Sequence, residues 1–268
     1  VYAEDGPDLE RFLAIVETFN ARAEDPTQWR LQVARGRDYL ERAVAERPGT
    51  LAGIATRNDI KMDLIARLHR AGFSVLGDKP WIVDASQLQT LRETLSGAPL
   101  AMDIMTERKE ACVRLQQRLI RSEEIFGAFD VGHDGGALSL QSVHFLAKQV
   151  NGKPLVRPAW YFDTHAQGEG MTDVNTHLVD LALWMIGDGR AWDADADQHI
   201  VDARQWPTAV PRATFARITE LDDFPDALRE RVTGAQLQVL CNAQLDCRLR
   251  GIPVRCEALW GLAIAQGG

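Results

Sequence analysis

The chain has little cysteine and no long apolar run. None of its four cysteines forms a CxxC pair, so we expect reduced thiols rather than a disulfide framework or a zinc ribbon. No stretch approaches the roughly 20 apolar residues of a membrane helix. The given residues also show no basic start followed by an apolar core. We therefore expect no membrane partner and favour a cytoplasmic location.

Basic residues are also fewer than acidic ones. The sequence has 30 Lys and Arg against 38 Asp and Glu, a net charge of −8. A protein that binds a nucleic-acid backbone needs a basic face, so nucleic acid is not an expected partner. The chain is 46% hydrophobic and 25% charged, which is typical of a globular protein. Its 268 residues allow one large domain or two smaller ones.

The first hundred residues alternate between short apolar runs and amphipathic segments. The runs predict buried strands and the segments predict helices, so we expect a doubly wound parallel α/β sheet over residues 1–105. The predicted strands lie at Val1–Ala3, Leu51–Thr56, Phe73–Leu76 and Leu100–Met105. The predicted helices begin near Asp8, Arg37, Ile60 and Asp84.

The pattern changes after residue 105, which predicts a second domain over residues 106–268. It is expected to be α+β with a mostly antiparallel open sheet. Helices are predicted at Glu107–Ile120 and Gly170–Ile186. Strands are predicted at Phe126–Val131, Arg212–Ile218, Gly234–Cys241 and Leu245–Arg250, with Gly187–Pro211 irregular.

Two polar segments directly follow predicted strands. Thr56-Arg57-Asn58 follows one strand, and Gly77-Asp78-Lys79-Pro80-Trp81 follows the next. Ligands bind at the carboxyl ends of the strands in a doubly wound sheet. Pro80 disfavours a helical conformation at Lys79 and holds it extended. Lys79 is therefore a candidate site cation, and a surface loop lysine is the alternative.

The predicted helix Gly170–Ile186 carries ionisable residues among apolar ones. Asp173, His177 and Asp180 lie at i, i+4 and i+7, on one face. A helix that is apolar nearly all round is buried, and buried ionisable groups are costly unless paired or placed in a cavity. This stripe is a site candidate, and a satisfied structural network is the alternative.

Asp163 and His165 precede this helix and, with Asp173 and His177, make a metal site conceivable. The spacing matches no established ligand pattern. The alternative is that Trp160 and the two aromatic residues after it form a wall with polar residues at its end. His144 is a further candidate for lining the cleft.

These residues carry a family resemblance. Gly77-Asp78-Lys79-Pro80 resembles the (E/D)-K-P motif of the Gfo/Idh/MocA oxidoreductases, and GEGMTDVNTHLVDLALWMIG resembles that family's site helix. In the helix, Asp173, His177 and Asp180 match, whereas Asn175 stands where glycine is more usual. Longer stretches resemble a subgroup of oxidoreductases with a distinctive C-terminal domain. They include VYAEDGPDLERFL and LVRPAWYFDTHAQGEG.

The resemblance implies an N-terminal Rossmann domain that binds NAD or NADP, followed by a substrate and oligomerisation domain. It implies hydride transfer from a hydroxyl of a sugar, polyol or related carbohydrate. Lys79, Asp173 and His177 would be catalytic, with His177 as general base. The cofactor would be contacted by Thr56, Asn58, Asp78, Lys79 and Pro80. Trp160, Asp163, His165 and Asp180 would contact the substrate, and no metal would be needed.

The sequence departs from the family at its start. A Rossmann domain opens with a strand and a Gly-rich phosphate turn, and we expect these to precede Val1, so that the chain is truncated at both ends. Two other functions remain open: a non-catalytic carbohydrate-binding or scaffold protein, and a metal-dependent hydrolase. A homo-oligomer is expected because an uncovered sheet face would be an apolar patch.

Overall fold

A computed structural model describes residues 1–105, 107–132, 137–150 and 152–263. The first half contains two small parallel sheets with helices between their strands. The alternation of strands and helices was predicted, but the division into two sheets was not. One sheet pairs β1 with β2, and the other has the order β3-β4-β5. The strands are β1 (Tyr2–Ala3), β2 (Ala34–Arg35), β3 (Leu51–Ile54), β4 (Ser74–Gly77) and β5 (Ala101–Asp103).

Helices connect these strands. They are α1 (Pro7–Asn20), α2 (Tyr39–Glu46), α3 (Asn58–Arg70) and α4 (Leu88–Ser96). Helix α3 packs Met62 and Ile65, both fully buried, against Val75 of β4. Asp84 accepts a hydrogen bond from the Ser86 amide and so caps the turn that leads into α4.

The second half is built around a five-stranded, mostly antiparallel sheet. Four strands follow the order β10-β11-β12-β6, and β9 pairs with the edge of β11 opposite to β12. The β12–β6 pair is parallel, and the other pairs are antiparallel. The strands are β6 (Leu138–Ala147), β9 (Gln198–Pro211), β10 (Val232–Thr233), β11 (Gln236–Leu249) and β12 (Ile252–Ala263). A two-stranded hairpin of β7 (Gln149–Val150) and β8 (Lys153–Pro154) stands apart.

Helices of the second half are mostly short. They are α5 (Ala111–Ile120), α6 (Glu123–Phe126), α7 (Thr164–Gln167), α8 (Gly170–Asp173), α9 (Asn175–Ile186) and α10 (Arg212–Thr219). Leu178 and Ala182 of α9 pack on Cys256 of β12 in one apolar core. Phe162 and Phe215 belong to a second core on the same sheet. Within the described residues, no helix has the length and apolarity needed to span a bilayer.

Several local expectations were wrong. The strands predicted at Gly234–Cys241 and Leu245–Arg250 are one continuous strand, β11. The predicted strand 126–131 contains only the end of α6, and the predicted strand 212–218 is helix α10, because Phe215, Ile218 and Thr219 share one buried helical face. The region predicted as irregular contains β9. The long site helix is two helices, α8 and α9, separated at Val174.

Candidate active site

Lys79 lies just beyond β4 and reaches across to the second half of the chain. Its Nζ donates to Asp173 Oδ1 at 2.9 Å and to the Asp173 backbone oxygen at 2.6 Å. The Lys79 side chain is 21% exposed and that of Asp173 is 13% exposed. The Trp81 indole donates to the Gly77 carbonyl at 3.1 Å and closes the intervening turn. The strand-end lysine and the helix aspartate therefore form one shielded ion pair.

His177 lies on the first turn of α9 and faces a residue that the sequence did not single out. Its Nδ1 is 2.8 Å from Glu107 Oε1, in a 3₁₀ turn over Glu107–Lys109. Burial lowers the pKa of His177, and the Lys79 charge lowers it further, while Glu107 and Asp173 oppose both. The net shift favours the neutral imidazole, which is the form that can accept a proton.

Asp180 also has a charged partner from this turn. Arg108 Nε lies 2.9 Å from Asp180 Oδ2. Burial nevertheless raises the pKa of Asp180 to about 6, with Arg108 opposing the shift. Asp173, His177 and Asp180 thus meet Lys79, Glu107 and Arg108 respectively. Charge at the start of a predicted helix is normally solvated, so sequence reasoning had no signal for Glu107 or Arg108.

A fully buried lysine supports the Lys79 loop from below. Lys61 Nζ donates to Asn58 Oδ1 at 2.7 Å and to the Lys79 carbonyl at 3.3 Å. Asn58 in turn donates to the Gln167 carbonyl at 2.6 Å. Both polar atoms of the Asn58 side chain are therefore engaged, although Asn58 was predicted to contact the cofactor. The sequence did not indicate Lys61 as a site residue, because it lies within a predicted amphipathic helix.

Aromatic residues form a wall beside Asp173. The His144 ring stacks on Trp260 with centroids 4.8 Å apart, and Tyr161 meets Trp260 edge-on at 6.2 Å. The Arg157 guanidinium lies 4.1 Å from the Tyr161 ring centroid. A cavity of about 20 Å³ between Asp173, Tyr161 and Trp260 is large enough for one water molecule.

The predicted substrate residues Trp160, Asp163 and His165 lie in or just before α7. Trp160 is half-buried, and the Arg57 guanidinium lies 5.9 Å from its ring centroid. Asp163 caps α7 through the His165 amide and pairs with Arg231 at 3.1 Å. His165 is exposed. Among the described residues, no three His, Cys, Asp or Glu side chains gather as a metal-ligand set.

The predicted cofactor residues lie at adjacent strand ends. Thr56 follows β3 and is half-buried, Asp78 follows β4 and is exposed, and Pro80 is buried. A cleft of about 750 Å³ is lined by Lys79 and Pro80 but not by Thr56, Asn58 or Asp78. Its lining includes Lys79, Pro80, Met105, Arg108, Thr172 and Thr176. Groups from both halves of the chain therefore converge on a space large enough for a small ligand.

Residues 115–268, more than half of the chain, match the family model "Putative oxidoreductase C terminal domain". The chain belongs to this oxidoreductase family. Members carry the model as a C-terminal part, and here it contains the site helices α8 and α9 together with the whole mixed sheet. No curated protein matches the chain.

Solved structures with the same fold include dehydrogenases. A "putative oxidoreductase" from Parabacteroides merdae is 36% identical over 100% of this chain and 62% of its own, with a TM-score of 0.95. A levoglucosan dehydrogenase bound to NADH and levoglucosan has a TM-score of 0.59 at 18% identity, over 96% of this chain and 56% of its own. A "putative myo-inositol dehydrogenase" from Sinorhizobium meliloti has a TM-score of 0.52 at 14% identity, over 97% of this chain and 68% of its own.

The chain thus spans about three fifths of the length of the Parabacteroides protein. The two dehydrogenases are distant enough in sequence that their likeness shows the fold. The Rossmann-like parallel sheet followed by a mixed open sheet, predicted from the sequence, is confirmed by this likeness and by the strand pairing.

Proposed function

We propose that this chain is the core of an NAD(P)-dependent oxidoreductase of the Gfo/Idh/MocA type that oxidises a hydroxyl of a sugar, polyol or related carbohydrate. The observation that carries the proposal is the Lys79–Asp173 ion pair, with a His177 imidazole nearby whose pKa is lowered by burial. The NADH complexes and the sugar complex among the solved structures support this class of cofactor and substrate. The division near residue 105 is proposed with it, because separate apolar cores lie on either side.

The donor set fits the nicotinamide end of the cofactor. The Thr56 hydroxyl, the Asp78 carboxylate and the Lys79 ammonium group follow neighbouring parallel strands, where such a ligand binds. When bound, the cofactor supplies a hydride acceptor. Asn58 contributes by fixing the loop rather than by direct contact, because its amide is already engaged.

The protein groups carry the proton and the charge. His177 accepts the proton of the substrate hydroxyl as general base. Lys79 donates a hydrogen bond to the same oxygen and stabilises the negative charge that develops there. Asp173 holds the Lys79 ammonium group through two contacts and keeps it aimed at the site. In this proposal Asp180, Trp160, Asp163 and His165 surround the substrate.

Cofactor titration and a variant pair test this proposal. We expect quenching of NADH or NADPH fluorescence by the chain and reduction of NAD(P)⁺ with at least one member of a sugar and polyol panel. Lys79→Ala should lower kcat/KM by about 100-fold or more. Lys153→Ala, an exposed lysine on the β8 hairpin, should leave it unchanged. Equal loss in both variants, or no nicotinamide binding, contradicts the proposal.

A homo-oligomer is proposed as well. Strand β9 pairs only with β11 among the described residues, and it leaves Ile200 67% and Val201 60% exposed. A second copy that covers this edge would bury both side chains. Light scattering after size exclusion tests this, and the double variant Ile200→Glu with Val201→Glu should yield a monomer.

A further inference from the structure

We propose that Glu107 is a positioning residue for His177: its carboxylate favours the imidazole tautomer with the proton on Nδ1 and leaves Nε2 free to take the substrate proton. This inference rests on the proposed function for its consequence in turnover. The contact between Glu107 and His177 is present without cofactor or substrate, so it can be tested separately from turnover.

The first observation is the geometry of the pair. Glu107 Oε1 lies 2.8 Å from His177 Nδ1 as an ion-pair contact, and among the described residues Nδ1 has no well-aligned hydrogen-bond partner. The side chains are 32% and 26% exposed, so water competes with the contact less than at an open surface. An ionised carboxylate has no proton to donate and would repel an Nδ1 lone pair at this distance, so the contact favours the tautomer with the hydrogen on Nδ1. Only Nε2 then remains as the basic nitrogen.

The second observation is that the turn carrying Glu107 is anchored independently. Arg108, the next residue, pairs with Asp180, which lies three residues beyond His177 on α9. Two consecutive residues of one 3₁₀ turn therefore meet two positions of one helix face. A single pair would let the turn pivot, whereas two pairs fix its register against α9. The turn follows β5 closely, at the same sheet end as the Lys79 loop.

The third observation is the balance of charge around His177. Lys79 disfavours a positive imidazole, whereas Glu107 stabilises it. A general base must become positive when it takes its proton, so a carboxylate at Nδ1 helps at that moment. The charged and titratable groups that face His177 from neighbouring elements are Asp78, Lys79, Glu107, Arg108, Asp173 and His144.

Imidazole nitrogen-15 NMR of the isolated chain tests the tautomer without any assay of turnover. The His177 signal is assigned by its absence in His177→Gln. We expect the Nδ1–H tautomer in the wild type, and a shift toward Nε2–H with a lower His177 pKa in Glu107→Ala. Glu107→Gln keeps the shape and removes the charge, so it should lower the pKa even if the alanine variant does not fold. Glu110→Gln, an exposed carboxylate beside the turn, should change neither property.

Kinetics provide the second measurement. Glu107→Gln should lower kcat/KM by about 10-fold, because the imidazolium formed at His177 loses the carboxylate that stabilises it, and should move the acidic limb of the pH profile to lower pH. An Nε2–H tautomer in the wild type, or an unchanged His177 pKa in both Glu107 variants, overturns the inference. Absence of dehydrogenase turnover with the expected tautomer overturns the proposed function alone.

Discussion

At the scale of single residues, Lys61 poses an energetic problem. Its side chain has no exposed surface, and its Nζ donates to two neutral oxygens, of Asn58 and of the Lys79 backbone. Burial lowers the pKa of this amine, and Asp78 and Asp173 offset only part of the effect. A buried charge without an ion-pair partner costs stability. It persists here beside the site, where it holds the Lys79 loop.

Lys61→Met removes the buried charge and keeps an apolar side chain of similar length. Removal of the buried charge offsets the two lost hydrogen bonds, so the free energy of unfolding at pH 7 should stay within about 2 kcal/mol of wild type. Because the folded pKa is depressed, the unfolded state binds more protons as pH approaches 10.5. Wild type should therefore gain stability relative to the variant as pH rises from 7 to 10. Urea unfolding measures this, and Lys153→Met should show no such trend.

The residues of the site were only partly predictable. Lys79 was predicted as a site residue because it follows a buried strand, and Asp173 and His177 because they are ionisable residues in an apolar helix. The structure pairs Lys79 with Asp173 and His177 with Glu107, and the catalytic roles of these residues stay predictions. Glu107, Arg108 and Lys61 were missed because their partners are distant in sequence, and only the tertiary contact distinguishes them from solvated charge.

At the scale of elements, α8 depends on a close approach to the sheet. Gly170 begins this helix, and a Cβ placed there would lie 2.2 Å from the Cys241 carbonyl oxygen and 2.5 Å from the Cys241 carbonyl carbon of β11. These are backbone atoms of a central strand and cannot turn aside as a side chain can. The absence of a Cβ therefore sets the distance between β11 and the helix that ends at Asp173.

Gly170→Ala should push α8 away from β11. Overpacking costs about 1–3 kcal/mol, and the fixed backbone places this substitution at the upper end. Movement of α8 also displaces Asp173, so Lys79 should lose its partner and kcat/KM should fall with stability. Gly49→Ala meets no atom within 4 Å and serves as the control. Equal urea midpoints for the two variants would show that α8 is free to move.

Helices and strands whose apolar residues recur at a clear spacing were predictable, and the others were not. Strands β3, β4 and β5 were found as apolar runs between turn residues. Strand β9 was missed because its side chains are mostly exposed and alternate poorly, and it is a strand only through its pairing with β11. Helix α10 was mistaken for a strand because the spacing of apolar residues in its eight positions fits both periods.

At the scale of the whole molecule, protonation of buried groups links pH to stability in opposite directions. Burial lowers the pKa of His144 and His177, so the unfolded state binds more protons near pH 6. Their contribution is present above pH 6.5 and is lost as pH falls. Asp180 acts the other way, because its pKa rises to about 6 in the fold. Between about pH 4 and pH 6, the folded state therefore binds more protons at Asp180 than the unfolded state does.

Asp180→Asn should therefore make acid unfolding steeper. A pKa raised from 3.8 to about 6 corresponds to roughly 3 kcal/mol. The side chain is only 18% exposed, so little of this is lost to screening by water. Wild type should gain up to that amount over the variant as pH falls from 7 to 4, measured as the difference in unfolding free energy in urea. Asp63→Asn, an exposed carboxylate on α3, should follow wild type. Parallel curves for wild type and Asp180→Asn would mean that Arg108 keeps Asp180 ionised and that the histidines alone set the acid limit.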